Sequence, residues 1–273
     1  MNLESAVHGD LQSQIKLLLD ALLEKDRICH TGKLVRGLIH NINGPLHNLS
    51  MLVEMMEQGQ RQLDQLVPAH DEGDQEACHK LLTKQHERLD RLSRQVGALV
   101  DMLQDFMILQ EIENSESDVD LPFVLKKLSK IYRADLFLKH HVEVHLELQE
   151  NLPPIRIPGK DIVPALMHLF QNAILALHDA PEKKLTIQCQ RQNNIIRVLF
   201  RDTGTGFDVT VPEETFFELF YSGWPSTSDG LKNIETPHGF GLYAVRRLMA
   251  PYGVKAKLKR EAGETQAILE IPV

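Results

Sequence analysis

The hydrophobic spacing of this chain changes once, near residue 115, and that change limits the folds open to it. Up to Ile112 the apolar residues recur every three or four positions. Leu11, Ile15, Leu18 and Leu22 begin the pattern, and Val35, Leu38, Ile42, Pro45, Leu49, Leu52 and Met56 continue it. Such spacing places one apolar seam along a helix, predicting a helix from Leu11 to about Gln65. The polar stretch from Pro68 to Gln75, with Gly73, reads as a turn. A second helix is expected from about Glu76 to Ile112, with Leu82, Leu89, Leu92, Val96, Leu99, Leu103 and Phe106 on its inner face. Two long helices joined by a short turn form a helical hairpin. Its apolar stripe is too narrow to stand alone, so the expectation is a homodimer that pairs two hairpins into a four-helix bundle.

The acidic stretch from Glu113 to Asp120 (ENSESDVD) reads as a linker. Beyond it, Leu121 to about Lys139 has helical spacing, and Val142, Val144, Leu146 and Leu148 alternate as a strand. Asp161–Asp179 and Gly241–Tyr252 read as helices. Leu185–Gln190, Ile195–Arg201, Val254–Lys259 and Gln266–Ile271 read as strands. The fold class expected is therefore α + α/β: a helical domain over 1–115, then a two-layer α/β sandwich over 118–273.

Composition excludes several classes. A net charge of −8 disfavours a nucleic-acid surface. The thirteen histidines form no tract with metal-ligand spacing. Cys29, Cys78 and Cys189 are far apart and odd in number, which suits reduced thiols. No apolar run reaches bilayer length, and MNLESAVHGD is no signal peptide, so no direct membrane contact is expected. These features lead to the expectation of a cytoplasmic chain, or the cytoplasmic part of a longer one.

Four motifs carry the chemistry, in this order: HNINGPL (His40–Leu46), HLFQNAILA (His168–Ala176), DTGTG (Asp202–Gly206) and HGFGL (His238–Leu242). His40 lies off the seam of Val35, Leu38 and Ile42, on the outer helix face. Pro45 follows five residues later, inside the helix, where it removes a hydrogen bond at about 3 kcal/mol or more. Asn172 is a mediocre mid-helix residue, but it shares one face with His168 and Ala176 and suits a Mg²⁺ or phosphate contact. Asp202 ends a strand, where its carboxylate can accept a hydrogen bond from an exocyclic amine. Gly204 and Gly206 permit close approach of a flat base. Gly239 and Gly241 precede a helix whose first N–H groups can hold phosphate oxygens. The segment of about 30 residues between the two glycine loops reads as a lid over a nucleotide.

In these motifs the chain resembles a sensor histidine kinase of two-component signalling, from about Gly32 to Val273. GKLVRGLIHNINGPLHNL is similar to a phosphoacceptor box of the nitrogen-regulation type. The C-terminal part resembles the ATPase domain shared with gyrase, Hsp90 and MutL. The resemblance implies a Bergerat ATP-binding fold behind a dimerising phosphotransfer bundle. It implies ATP and Mg²⁺ as cofactors and a response-regulator receiver domain as partner. Residue by residue, it implies His40 as the phosphorylated histidine and Asn172 as the Mg²⁺ ligand. Asp202 becomes the adenine-binding acid, Gly204, Gly206, Gly239 and Gly241 the glycine boxes, and Phe216, Phe217 and Phe220 the aromatic box.

The chain departs from that pattern at four places. Asn41 stands where the family carries an acid that accepts the histidine's proton. An amide takes no proton at neutral pH, and losing a positioned base costs on the order of 10²–10⁴ in rate. An imidazole with a pKa near about 6.5 is nevertheless mostly neutral at pH 7, so autophosphorylation is expected to be slowed rather than forbidden. Gly44 replaces the residue that helps dephosphorylate the partner, with Asn43 a possible substitute. Ser222, Gly223 and Trp224 replace a Thr-Thr-Lys, which removes a cationic contact to the γ-phosphate unless Lys232 or another lid residue supplies it. His168 replaces the first of two Asn positions in the pocket helix. Two rival expectations follow: a degenerate kinase that serves as a nucleotide-binding scaffold or phosphotransferase, and an ATPase of the same fold without phosphohistidine.

Overall fold

The computed structural model describes residues 3–66, 72–133, 136–223 and 239–273. Two helices come first, α1 (Leu3–Leu66) and α2 (Glu72–Asn114). The first runs on through Pro45. The second begins earlier than expected, so Glu72–Gln75 are helix rather than turn. Its end takes in Glu113 and Asn114 from the expected linker, and Glu113 is buried. The chain divides by compactness into Met1–Leu34 with Ile108–Val273, and Val35–Met107.

Within Val35–Met107, the hairpin is drawn together by polar contacts across its two helices. Gln85 Nε2 donates to Met56 O at 2.7 Å, and an Arg88 guanidinium nitrogen donates to Met55 O at 2.6 Å. Gly59 makes room for this, since a Cβ there would lie 2.5 Å from Gln85 Nε2. Along the apolar seam Leu82, Leu89, Val96 and Leu103 of α2 are exposed, while Leu49, Leu52, Met56, Leu92 and Leu99 are half-buried.

The other unit contains a five-stranded sheet with one helical layer. The strands are β1 (Glu143–Leu148), β2 (Lys184–Gln192), β3 (Ile195–Asp202), β4 (Lys255–Glu261) and β5 (Glu264–Pro272), in the order β1-β2-β3-β5-β4. β1 pairs with β2 in parallel, and the other pairs are antiparallel. The helices are α3 (Leu121–Tyr132), α4 (Leu136–His141), α5 (Gly159–Leu177) and α6 (Gly241–Met249). Asp120 caps α3 by accepting from Phe123 N at 3.0 Å, and Leu121, Val124, Leu125 and Leu128 form its buried stripe. The single helix expected over Leu121–Lys139 is thus two helices. The last expected helix keeps its helical form to Met249, tightens to a 3-10 turn over Ala250–Tyr252, and ends at Gly253 with φ 69°.

Strand register explains where the cavity lies. Leu185, Ile187 and Cys189 of β2 sit opposite Asp202, Phe200 and Val198 of β3. In turn Asp202, Phe200 and Val198 sit opposite Thr265, Ala267 and Leu269 of β5, and Ala267 opposite Leu258 of β4. Side chains alternate across a strand, so these rows share one face. The face is buried under α5, whose Leu166, Leu169, Phe170, Ala173 and Ala176 are themselves buried. Asp202 and Thr265 form the last row, polar residues closing an apolar floor.

Candidate functional site

Between that floor and the helices lies a cavity of about 230 Å³. The sheet supplies Phe200, Asp202, Leu258, Thr265 and Ala267, and α5 supplies His168, Leu169, Asn172, Ala173 and Ala176. The loops contribute Gly206, Phe207, Phe216, Tyr221, Gly239 and Gly241. Three motifs scattered over some 75 residues therefore converge on one cavity. Of the expected nucleotide-binding residues, Asn172, Asp202, Gly206, Gly239 and Gly241 line it, while Gly204 sits just behind Asp202.

Asp202 is buried at 4% exposure, and burial pushes its carboxyl up to about 7. The Gly204 N–H, donating to Oδ1 at 2.9 Å, and the Arg260 guanidinium work against this shift, and Glu264 adds to it. Thr265 Oγ1, opposite Asp202 in the ladder, is buried with no hydrogen-bond partner. The chain itself thus leaves hydrogen-bonding capacity at the inner end, beside Phe200 and Leu258.

Two glycines are required by space and backbone. A Cβ on Gly204 would lie 2.4 Å from Ala176 Cβ and 2.6 Å from Asp202 Oδ1. The Thr205 N–H donates to Ala176 O at 3.0 Å, stitching the loop to the end of α5. Gly239 has φ 65°, and a Cβ there would lie 2.4 Å from Tyr221 O. Gly241 opens α6 close to Asn172: a Cβ would meet its side-chain oxygen at 3.5 Å and His168 Nδ1 at 3.2 Å. The first N–H groups of α6 have no partner within the helix, and Gly241 and Leu242 line the cavity beside Asn172.

Phe220 is not brought to the cavity. It is 65% exposed with φ 65°, while its N–H donates to Gly239 O at 3.0 Å. From the same aromatic run, Phe216 and Tyr221 reach the cavity and pack edge to face on one another. Phe217 is buried with Phe216 and Leu258. Sequence reasoning missed Tyr221, Thr265 and Asp26. Asp26 lies on α1, in the same compact unit, and its Oδ2 meets His168 Nε2 at 2.9 Å. His40 and Asn41 fall within α1, and their side chains lie outside the described residues, as do Trp224, Lys232 and His238 with the rest of 224–238.

The donor set fits a magnesium nucleotide. Mg²⁺ takes few protein oxygens and completes its shell with water and phosphate. Asn172 offers one such oxygen, and no group of three or more His, Cys, Asp or Glu residues that could hold a metal occurs among the described residues. Apolar walls with a carboxyl and an unpartnered hydroxyl at one end, and a helix N-terminus at the other, match a flat heterocycle joined to phosphates.

Residues 160–273 match the family described as histidine kinase-, DNA gyrase B-, and HSP90-like ATPase. Sensor histidine kinase ZraS of Escherichia coli (strain K12) is 21% identical over 257 residues, covering 91% of this chain and 47% of that protein. Sensor protein FixL of Bradyrhizobium diazoefficiens is 26% identical over 254 residues, covering 87% of this chain and 45% of that protein. Among solved structures, the catalytic domain of histidine kinase ThkA covers 57% of this chain and 94% of its own, with 18% identity and a TM-score of 0.47. Residues 160–273 thus match the model of this ATPase family, and the chain is similar along most of its length to proteins described as sensor histidine kinases. It spans about half the length of these two relatives. No helix among the described residues is long and apolar enough to cross a membrane.

Proposed function

We propose that this chain is an ATP-dependent protein histidine kinase that phosphorylates His40 and passes the phosphoryl group to an aspartate of a response-regulator receiver domain. The observation that carries the proposal is the convergence of Asn172, Asp202, Gly206, Gly239 and Gly241 on one cavity, in a chain whose hairpin bears HNINGPL. Asp202 accepts from the adenine amine through the carboxyl oxygen that Gly204 does not engage, and Thr265 donates or accepts beside it. Phe200, Leu258 and Ala173 exclude water from the base. The first N–H groups of α6 receive the phosphates.

Bound Mg²⁺, held by Asn172, would neutralise charge on the transferred phosphate. A His40 ring nitrogen attacks the γ-phosphorus in line, the bond to the β,γ-bridging oxygen breaks, and ADP leaves. The imidazole proton goes to solvent, because the Asn41 amide does not take it. Positioning rather than proton transfer carries this step. The exposed Leu82, Leu89, Val96 and Leu103 of the seam support a homodimer that buries them against a second copy.

The test is incubation of purified protein with γ-labelled ATP and Mg²⁺, beside a His40→Gln variant. Acid-labile, alkali-stable label on the wild type and none on the variant is the result expected. ATP binding that is lost on Asp202→Asn, without any labelled protein, would leave a nucleotide-binding scaffold instead.

A further inference from the structure

We infer that Asp26 of α1 is a built-in competitor for the phosphate end of the cavity, seated on His168. The inference rests on the nucleotide reading above and adds a regulatory segment to it.

The observations are local to one compact unit. His168 is buried on α5, one turn before Asn172, and its Nδ1 faces the start of α6 beside Gly241. Its Nε2 meets Asp26 Oδ2 at 2.9 Å. An ionised carboxylate only accepts, so this nitrogen carries the proton. Asp26 also counts among the residues that line the cavity. A carboxylate oxygen on an imidazole N–H, beside a helix N-terminus, does what a phosphate oxygen would do there. The two anions exclude one another, by charge and by the single donor they would share.

The contact belongs to a docked surface rather than to one chance pair. On α1, Leu19, Leu22, Leu23 and Asp26 are the half-buried positions between residues 17 and 26, whereas Leu17 and Leu18 are 70% exposed. Their spacing of three, one and three residues makes a single helical stripe. A second hollow lies along the same stripe, where Leu23 and Asp26 of α1 meet Lys160, Asp161 and Pro164 of α5 and Leu248 of α6. Asp20 lies 3.7 Å from an Arg247 guanidinium nitrogen of α6. This stretch of α1 therefore rests on the two helices that form the cavity wall, and it sets Asp26 at their gap. Movement of α1 then changes the affinity for ATP, and ATP in turn favours release of α1, because the coupling is reciprocal.

The test is calorimetric titration of the full chain with Mg–ATP and with adenosine, for wild type, Asp26→Asn, Leu23→Ser, His168→Asn and the Asp26→Asn/His168→Asn double variant. Asp26→Asn should tighten ATP by about tenfold, the competitor's share of the population being removed. Leu23→Ser, which alters no charge, should move ATP in the same direction, and Asp26→Asn should leave adenosine within about twofold. In the His168→Asn background the Asp26→Asn gain should vanish, because the pair is already broken. Unchanged ATP affinity in Asp26→Asn overturns the inference and leaves the nucleotide reading standing. So does a gain that persists without His168 while Leu23→Ser does nothing, which would be a bulk charge effect. Failure of ATP to bind wild type and every variant overturns the nucleotide reading, and the inference falls with it.

Discussion

Replacing Asp202 by Asn should stabilise the C-terminal α/β domain while weakening its hold on nucleotide, and the stabilisation should depend on pH. The carboxyl is ordinary at 3.8 in an unfolded chain and is pushed up to about 7 by burial in the fold. Its contribution to stability is therefore fully present below the unfolded value and is lost as pH rises through the folded one. At pH 8 the ionised side chain costs the fold about 4 kcal/mol relative to low pH. At pH 5 the folded form is protonated, and the cost is only about 2 kcal/mol. An amide in its place has no charge to desolvate, so the variant's advantage should be about 2–3 kcal/mol larger at pH 8 than at pH 5. For a domain of this size that corresponds to roughly 5–10 °C in Tm. Thermal unfolding of wild type and Asp202→Asn at both pH values, without nucleotide, reads this directly. An advantage that is equal at the two pH values, or larger at pH 5, would refute the reasoning, because burial of the charge would then not be what shifts the carboxyl. Calorimetry on the same samples at pH 8 should show ATP bound about 10–100-fold more weakly by the variant, the range for losing a hydrogen bond to a charged group.

Four further outcomes follow from the geometry. Wild-type affinity for ATP should decline as pH falls below about 7, since the neutral Asp202 carboxyl is a poorer acceptor; fluorescence titration across pH 6–8 checks this. Gly204→Ala should destabilise by at least about 2 kcal/mol in a denaturant melt, because its methyl would overlap Ala176 and Asp202 with backbone on one side. Phe220→Gly should raise stability by about 0.5–1 kcal/mol by relieving a positive φ, and leave ATP affinity within about twofold. Lys183→Met should lower stability by about 1–3 kcal/mol: its ammonium caps the end of α5 on the carbonyls of Leu177, His178 and Ala180, at 2.6, 2.6 and 2.7 Å, which a melt of the purified variant would show.

The features legible in the sequence were those encoded by neighbouring residues. The three-and-four spacing marks both hairpin helices, because each seam residue lies within one turn of the next. Alternation marks β1 for the same reason. Asp202 was legible because a strand end and two glycines adjoin it. Thr265 was not, since its place opposite Asp202 depends on a β3–β5 register that no local pattern specifies. Phe220 misled because TFFELFYSGW offers several aromatic residues within a few positions, and only the backbone tells which turn inward. The positive φ at Phe220 sends its ring outward and leaves Tyr221 to face the cavity. The break between α3 and α4 follows Tyr132 with neither glycine nor proline to announce it. Asp26 and His168 lie 142 positions apart, and no periodicity connects residues at that distance.

The two ends of the cavity differ in how the chain treats its own polar groups, and that difference orients the ligand. At the sheet end, Thr265 Oγ1 is buried without a partner and Asp202 is held where ionisation is costly. Structural polar groups in a core are ordinarily satisfied within the protein, so an arrangement that leaves both of these incomplete favours a neutral ligand edge able to donate and accept. At the helix end, the first N–H groups of α6 and the His168 imidazole stand beside the Asn172 amide, and the group that meets His168 is a carboxylate. Donors in that number at a helix N-terminus favour anions. A ligand that is flat and uncharged at one end and anionic at the other therefore has one way to lie, base against Asp202 and phosphates toward Asn172 and Gly241. The reverse pose would set phosphates against the Asp202 carboxylate, where like charges repel at low dielectric.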